Sequence, residues 1–439
     1  MLYTRTVLKF NVSELFCRCF VLISPMPLNP RKSLVSFGWR FMFVWFLLYI
    51  TTVTVDYFLL ETWFESIGKP FHWLAVQTGN VFFGVSLVGA NHFYSDTLLI
   101  YIHLFNLSAL SIIIATVWNY FTKKDFAETK SFPVLLTSLR YFLALQLFMY
   151  GFAKIYKWQF MLPEPNILYT LVGDLHRDIL YWTSMGSSRS YTMFMGMVEI
   201  VPAILLLFRR TTLAGAFAAV LVMTNVVAVN FGFDITVKLH SSTLLIISCV
   251  LLIPGRKRML ALFTGKATEE WKYPVFTISE NRKWIGASAK VVAVIIIFAE
   301  SHYPYWMTGN YNDDVSERPP MHGAYEVITY SSSYGDTLVR NSNPSNRIFV
   351  HRHGYLIFQY ENGGMNDYPV VIDSTNQTIH LTGYNFGSEF EGIRWKQIND
   401  SVFEFRSANI YSTEYWLVKK LDVSKLPLMQ EEFTWIDRD

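Results

Sequence analysis

Charged residues and cysteine are scarce in this chain. Only 16% of its 439 residues are charged, whereas soluble domains carry roughly 25%. The net charge of +3 gives no electrostatic support for a nucleic-acid partner. The three cysteines are Cys17, Cys19 and Cys249. Residues 311–439 therefore cannot hold a disulfide framework, and a C-x-x-C redox pair is excluded throughout.

Common active-site signatures are missing as well. The sequence contains no H-E-x-x-H motif, no P-loop and no Rossmann glycine pattern. His103 and His240 are the clear intramembrane histidines, and they do not make a convincing haem pair. His351 and His353 lie two apart on a predicted strand and supply only two ligands. We therefore predict no metal site.

Long apolar runs are abundant instead, since 52% of the residues are hydrophobic. A helix that crosses a bilayer needs ~20 apolar residues. About seven spans are predicted, at 37–60, 97–121, 132–156, 191–208, 211–233, 237–254 and 284–298. Four parts are expected in this region. A cytoplasmic leader covers residues 1–36, and two spans with an outer loop cover 37–131. A four-helix core covers 132–258, and a cytoplasmic linker with the seventh span covers 259–301. The chain is thus predicted to be a polytopic α-helical membrane protein.

Lysine and arginine indicate the orientation, because they are retained on the cytoplasmic side. With seven alternating spans, the basic clusters fall on one side: Arg31, Lys32, Lys123, Lys124, Lys130, Arg209, Arg210, Arg256, Lys257, Arg258, Lys266 and Lys272. We expect a bacterial inner-membrane protein with a cytoplasmic N-terminus and a periplasmic C-terminal domain. Two long outer loops, 61–96 and 161–189, are predicted to be interfacial or re-entrant pieces that cover the outer mouth of the bundle.

Residues 311–439 are polar and contain eight short alternating segments separated by turn signals. This spacing predicts a soluble antiparallel β barrel or sandwich outside the membrane. Its opening Gly323-x-Tyr325 resembles the entry strand of lipocalin-like barrels. Two interpretations stay open, a stabilising cap and a domain with a small-ligand pocket.

Polar residues inside the predicted spans usually face a bundle interior. Three clusters converge near the outer end and form the candidate site: Gln146, Tyr150, Lys154, Glu199, Asn225, Asn230, Asp234, Lys238 and His240. The first three share one helix face, because they recur every four residues. The structural alternatives are a snorkelling lysine, an interhelical ion pair, and an outer turn with capping side chains.

Several of these residues occur in a recognisable order. Arg140 lies early in a span, Gly151-x-x-Lys154 ends it, Gly196-x-x-Glu199 follows, and Arg209-Arg210 precedes a helix of small residues. The stretch 140–258 resembles the DoxX family of small bacterial membrane proteins. That resemblance implies a four-helix membrane core, and some DoxX-like proteins are linked to quinone-dependent oxidation of sulfur compounds. Broader relatives look like vitamin K-dependent carboxylase-like proteins, which pair a membrane domain with a luminal β domain. The chain departs from DoxX proteins in its leading spans, seventh span and C-terminal domain.

The resemblance favours a quinone- or lipid-linked redox component of the cell envelope. Lys154 and Tyr150 would hydrogen-bond a quinone oxygen, and Glu199 would exchange protons. The expected partners are membrane lipid and a redox or envelope protein, because no electron carrier is evident. The alternative is a non-catalytic anchor that presents a lipocalin-like binding domain. A transporter is a third hypothesis, for which no inverted repeat is visible.

Overall fold

The computed structural model describes residues 30–53, 58–87, 95–122, 124–267, 273–274, 283–334, 337–339, 345–382, 392–408 and 412–430. The predicted leader up to residue 29, with Cys17 and Cys19, lies outside these described residues. Apolar runs form helices in the first 308 residues, since a helix satisfies its own backbone groups in lipid. The helices are α1 (Pro30–Thr52), α2 (Glu61–Phe82), α3 (Leu98–Phe121), α4 (Ser131–Ile155), α5 (Pro165–Leu168), α6 (Arg177–Gly186), α7 (Arg189–Leu207), α8 (Thr212–Gly232), α9 (Lys238–Leu252), α10 (Arg256–Phe263) and α11 (Lys283–Thr308).

Six stretches in the described residues are helical, long and apolar enough to cross a membrane: Leu34–Thr52, Leu98–Phe121, Ser131–Ile155, Arg189–Leu207, Thr212–Gly232 and Trp284–Val315. The chain is therefore a multi-pass membrane protein, as predicted, although the expected count was about seven. The difference lies at 237–254, where α9 has only 15 residues. The Asp96 carboxylate fixes its start by accepting the backbone N–H groups of Lys238 and Leu239 at 2.8 and 3.0 Å. A 3-10 turn that contains Pro254 follows its end, since proline has no N–H to continue the helix.

Helix α4 lies at the centre of the bundle, where it contacts α1, α7, α9 and α11. Its Leu136, Leu139 and Leu143 are fully buried. A polar side chain on the inner faces of α4 therefore meets other helices instead of lipid. This position explains how Gln146 and Lys154 can be buried at 0% and 5% exposure.

The two long loops predicted to be on the outer side, 61–96 and 161–189, are largely helical in their described residues. The first contains α2, which packs against α1 and α3 and leaves Trp63 and Trp73 exposed. The second contains α5, a 3-10 turn at Val172–Asp174 and α6. Exposed tryptophans on an amphipathic helix suit the boundary between lipid and water.

The C-terminal residues form nine antiparallel strands: β1 (Gly323–Tyr334), β2 (Thr337–Val339), β3 (Arg347–His351), β4 (Tyr355–Gln359), β5 (Met365–Asp373), β6 (Thr378–Leu381), β7 (Ile393–Gln397), β8 (Val402–Ala408) and β9 (Ser412–Leu421). Strand β1 pairs with both β3 and β9, so eight strands close into a barrel, and β2 extends β1 as a short hairpin. The barrel prediction is confirmed. Tyr325, Phe403, Phe405 and Trp416 belong to its core.

Candidate functional site

Two glycines bring α4 and α7 into close contact. A Cβ atom added to Gly196 would lie 2.6 Å from the Gly151 carbonyl oxygen, and one on Gly151 would lie 2.9 Å from the Gly196 oxygen. Lys154 and Glu199 each follow one of these glycines by three residues. Because Cβ atoms lean toward the N-terminus of their helix, the two side chains lean back toward the contact from opposite sides in an antiparallel pair. The two G-x-x motifs therefore build an ion pair between the helices.

The ion pair is buried and short. Lys154 Nζ lies 2.9 and 2.7 Å from the two carboxylate oxygens of Glu199, which is 2% exposed. The same ammonium donates to Gln159 Oε1 at 2.8 Å. It also lies 5.7 Å from the ring centres of both Tyr150 and Phe160, so aromatic faces complete its surroundings.

The chain turns back over the ion pair directly after α4. Lys157 adopts a left-handed backbone conformation with φ of 61°, the arrangement that commonly ends a helix. The backbone N–H groups of Trp158 and Gln159 donate to the Ala153 carbonyl at 2.8 and 3.1 Å. The Lys157 ammonium reaches the Gly186 carbonyl at 2.6 Å. This turn brings Gln159 and Phe160 to Lys154.

The ion pair lines a cavity of about 80 Å³, which is space for several water molecules or part of a ligand head. Helices α4, α6, α7, α8 and α9 all contribute to its wall. The lining residues are Leu147, Tyr150, Lys154, Gln159, Phe160, Tyr181, Trp182, Met195, Glu199, Met223, Asn225, Val226, Val229, Asn230, Ile235, Val237, His240, Ser241 and Leu244. Most of the wall is apolar or aromatic, with a few converging polar groups, as in small-molecule sites generally.

A second polar cluster lies on the α9 side of the cavity. Tyr49 Oη lies 2.8 Å from His240 Nδ1, and His240 Nε2 lies 3.1 Å from Gln146 Oε1. A neutral imidazole that accepts from the tyrosine and donates to the amide satisfies both contacts. Gln146 Nε2 has no partner among the described residues, so a hydrogen-bond donor is left over. Asn230 Nδ2 donates to Ser241 Oγ at 2.9 Å.

The structure brings six of the nine candidate residues to the cavity wall: Tyr150, Lys154, Glu199, Asn225, Asn230 and His240. Gln146 lies behind the wall and holds His240. Asp234 and Lys238 are outside the lining and pair with each other at 2.7 Å, with Asp234 81% exposed. Within the described ranges, no group of three or more His, Cys, Asp or Glu side chains is placed to hold a metal ion.

Sequence reasoning missed several residues of the site. Gln159 and Phe160 follow α4 after the turn at Lys157, and no helical periodicity extends there. Tyr181 and Trp182 come from α6 in the second outer loop. The unusual apolar content of that loop was the available signal. The sequence contains no signal that Tyr49 on α1 belongs to the site, since its partner His240 is 191 residues away.

The comparisons with known proteins are sparse. No family model matches the chain, and no solved structure matches it. The uncharacterized protein YwoB of Bacillus subtilis (strain 168) is 34% identical over 137 residues, which are 31% of this chain and 85% of that protein. The resemblance to DoxX proteins stays a prediction.

Proposed function

We propose a function from the cavity itself, because the chain belongs to the same family as the protein YwoB and that protein is uncharacterized. The protein binds the uncharged head of a quinone-like lipid and serves as a membrane redox component of the cell envelope. One observation carries this proposal: a buried ion pair, Lys154 with Glu199, lines an aromatic-walled cavity inside a membrane bundle.

The charge balance of the cavity supports an uncharged ligand. Lys154 and Glu199 are the formally charged members of the lining, and they compensate each other. His240 is held at both ring nitrogens by uncharged partners. A phosphate or carboxylate head would add a buried charge without a partner, which is costly. A quinone head has oxygen acceptors and a flat apolar ring, which suit the ammonium and the aromatic wall.

Quinone reduction consumes two electrons and two protons. The three N–H groups of the Lys154 ammonium reach Gln159 and the two Glu199 oxygens, so a quinone oxygen beside Tyr150 would replace Gln159 as the third acceptor. Glu199 is the adjacent carboxylate that can take up or release a proton. The described residues include no evident electron carrier, so the electrons come from a redox protein partner. The proposal thus names membrane lipid and a redox or envelope protein as partners.

The basic clusters support the placement in the cell when the 15-residue α9 is counted as a short seventh crossing, which keeps these clusters on one side. They favour the bacterial inner membrane with a cytoplasmic N-terminus and a periplasmic barrel. The cavity then lies toward the periplasmic side, because Lys154 is at the C-terminal end of α4, on the side from which the barrel continues. Labelling a cysteine introduced at the exposed Ser374 in intact and in opened cells tests this orientation.

The experiment that tests the function is identification of the bound lipid. The protein is purified from its native membrane in mild detergent, and the extract is analysed by mass spectrometry and by an ultraviolet redox difference spectrum. We expect a stoichiometric quinone that is lost in Lys154→Met. The matched control is Lys238→Met, which removes a lysine outside the cavity wall. Absence of quinone from the unmodified protein would contradict the proposal.

A non-catalytic anchor is the second candidate function. The packed barrel core and the firm attachment of the barrel to the bundle favour it. Under this alternative, the extract contains a specific lipid or protein partner and no quinone, and Lys154→Met affects folding alone.

A further inference from the structure

One segment contacts both the cavity and the barrel. We define it as the cover segment, residues 156–186, between α4 and α7. Its Gln159, Phe160, Tyr181 and Trp182 form part of the cavity wall. The Phe160 ring lies 5.2 Å from Trp182 and 5.9 Å from Tyr181, centre to centre. The segment therefore covers the barrel side of the cavity with a cluster of aromatic rings.

The barrel holds this segment through Arg352, in the turn between β3 and β4. The guanidinium of Arg352 contacts the Glu164 carboxylate, donates to the Leu162 carbonyl at 2.9 Å and contacts the carboxylate of Asp313. The backbone N–H of Arg352 also donates to Glu164 at 3.1 Å. Glu164 is only 8% exposed, so this is a buried attachment.

Tyr169 provides a second attachment to the barrel. Gln359 Nε2 donates to the Tyr169 carbonyl at 3.1 Å. The Arg347 guanidinium lies 4.8 Å from the Tyr169 ring centre, and that ring stacks on Phe349 at 6.0 Å. The two attachments lie on either side of α5, so the barrel fixes this part of the segment along its length.

The attachment and the cavity wall are adjacent in the chain. Leu162, which is held by Arg352, is two residues from Phe160, which lines the cavity. Each residue spans at most ~3.6 Å, so Leu162 cannot move farther than about 7 Å from Phe160 without displacing it. The Lys157 ammonium donates to the Gly186 carbonyl, so the two ends of the cover segment are joined to each other. Release from the barrel would thus free the middle of the segment while its two ends stay together.

We propose that docking of the barrel controls access to the cavity, so that the cover segment opens only when the contact between Arg352 and Glu164 breaks. The barrel is then a regulatory clamp on the lipid site. The ligand's identity rests on the proposed function, whereas the control of access does not.

Cysteine accessibility tests this inference without any quinone. The full-length protein carries Ser241→Cys as a reporter in the cavity wall, with Cys17, Cys19 and Cys249 replaced by serine. The rate of alkylation by N-ethylmaleimide in detergent is measured for variants of the barrel contact. Arg352→Gln is expected to raise the rate by about tenfold, since it removes several charge-assisted hydrogen bonds from the closed state.

The control is Arg406→Gln, which removes the same charge from an exposed barrel residue that pairs with Glu404. It should leave the rate unchanged. A rate for Arg352→Gln equal to that of the control overturns the proposal. If Arg352→Gln does not give a monodisperse protein, Gln359→Leu loosens the attachment at Tyr169 and should raise the rate by a smaller factor. Equal rates for that variant and the control would likewise overturn it.

Discussion

Two of the buried pairs of opposite charge among the described residues, one inside the bundle and one between barrel and bundle, differ in how fully they are satisfied. In the bundle, Lys154 and Glu199 pair beside a cavity, with one further polar partner, Gln159. Between barrel and bundle, Glu164 receives the guanidinium and a backbone N–H of Arg352 and a contact from His322 at 3.1 Å. The Glu164 carboxylate has all its hydrogen-bond partners within the protein, so its role is structural. The pair of Lys154 and Glu199 borders a cavity, so it can also bind a ligand.

The largest effect is expected from removing one member of the bundle pair. Lys154→Met leaves Glu199 buried without its cation, which costs ~3–5 kcal/mol of the free energy of unfolding. Chemical unfolding in mixed micelles measures this loss. The double variant Lys154→Met/Glu199→Gln should recover most of it, because no uncompensated charge stays buried.

These two variants also separate stability from binding. If the double variant is stable and still lacks quinone, the pair has a binding role beyond its structural one. Quinone retained by the stable double variant would contradict that role. The pair of Lys154 and Glu199 would then be purely structural, like the pair of Arg352 and Glu164.

The next effect concerns the glycines that create the bundle pair. Gly196→Ala would force a Cβ within 2.6 Å of the Gly151 carbonyl, and separating the helices should cost ~1–3 kcal/mol. The control is Gly232→Ala on α8, where an added Cβ meets nothing within 4 Å. Equal stabilities of the two variants would show that the close contact does not position Lys154 and Glu199.

A comparable loss, confined to the barrel contact, is expected for Glu164→Gln. Burial tends to raise the pKa of Glu164, but the hydrogen bond from His322 and the charges of Arg352 and His351 lower that pKa to about 2. The ionised carboxylate therefore stabilises docking fully above its ordinary pKa of 4.5, and this stabilisation is lost as the pH falls toward 2. The protection of the amides of residues 166–168 against hydrogen exchange, relative to the intrinsic exchange rate at each pH, should decrease over that range.

In Glu164→Gln the same protection should already be lower at neutral pH, by the ~1–3 kcal/mol of a charged hydrogen bond, and it should be nearly independent of pH. Exchange that responds to acid equally in both proteins would assign the pH dependence to other groups. The control is Glu361→Gln, a substitution in the exposed turn after β4.

Hydropathy and alternation were sufficient to predict the spans and the barrel, because each pattern reports one element and its surroundings. The face formed by Gln146, Tyr150 and Lys154 was predictable for the same reason. Contacts between distant elements were not. The carboxylate of Asp96 fixes the start of α9 from 142 residues away, and hydropathy alone does not indicate this contact. Gln159 reaches the site through a left-handed turn at Lys157, which helical periodicity does not indicate.

The smallest effect is expected at the outer turn, where sequence reasoning included Asp234 in the site. Its carboxylate is 81% exposed and pairs with Lys238 four residues later, and exposed pairs of this kind are screened by water and salt. Asp234→Asn should therefore leave both the unfolding midpoint and the bound quinone unchanged. Asp96→Ala is the informative contrast, because it removes a helix cap and should cost ~0.5–2 kcal/mol. A loss of quinone in Asp234→Asn would extend the site to the outer turn, and burial would then no longer distinguish binding pairs from structural ones.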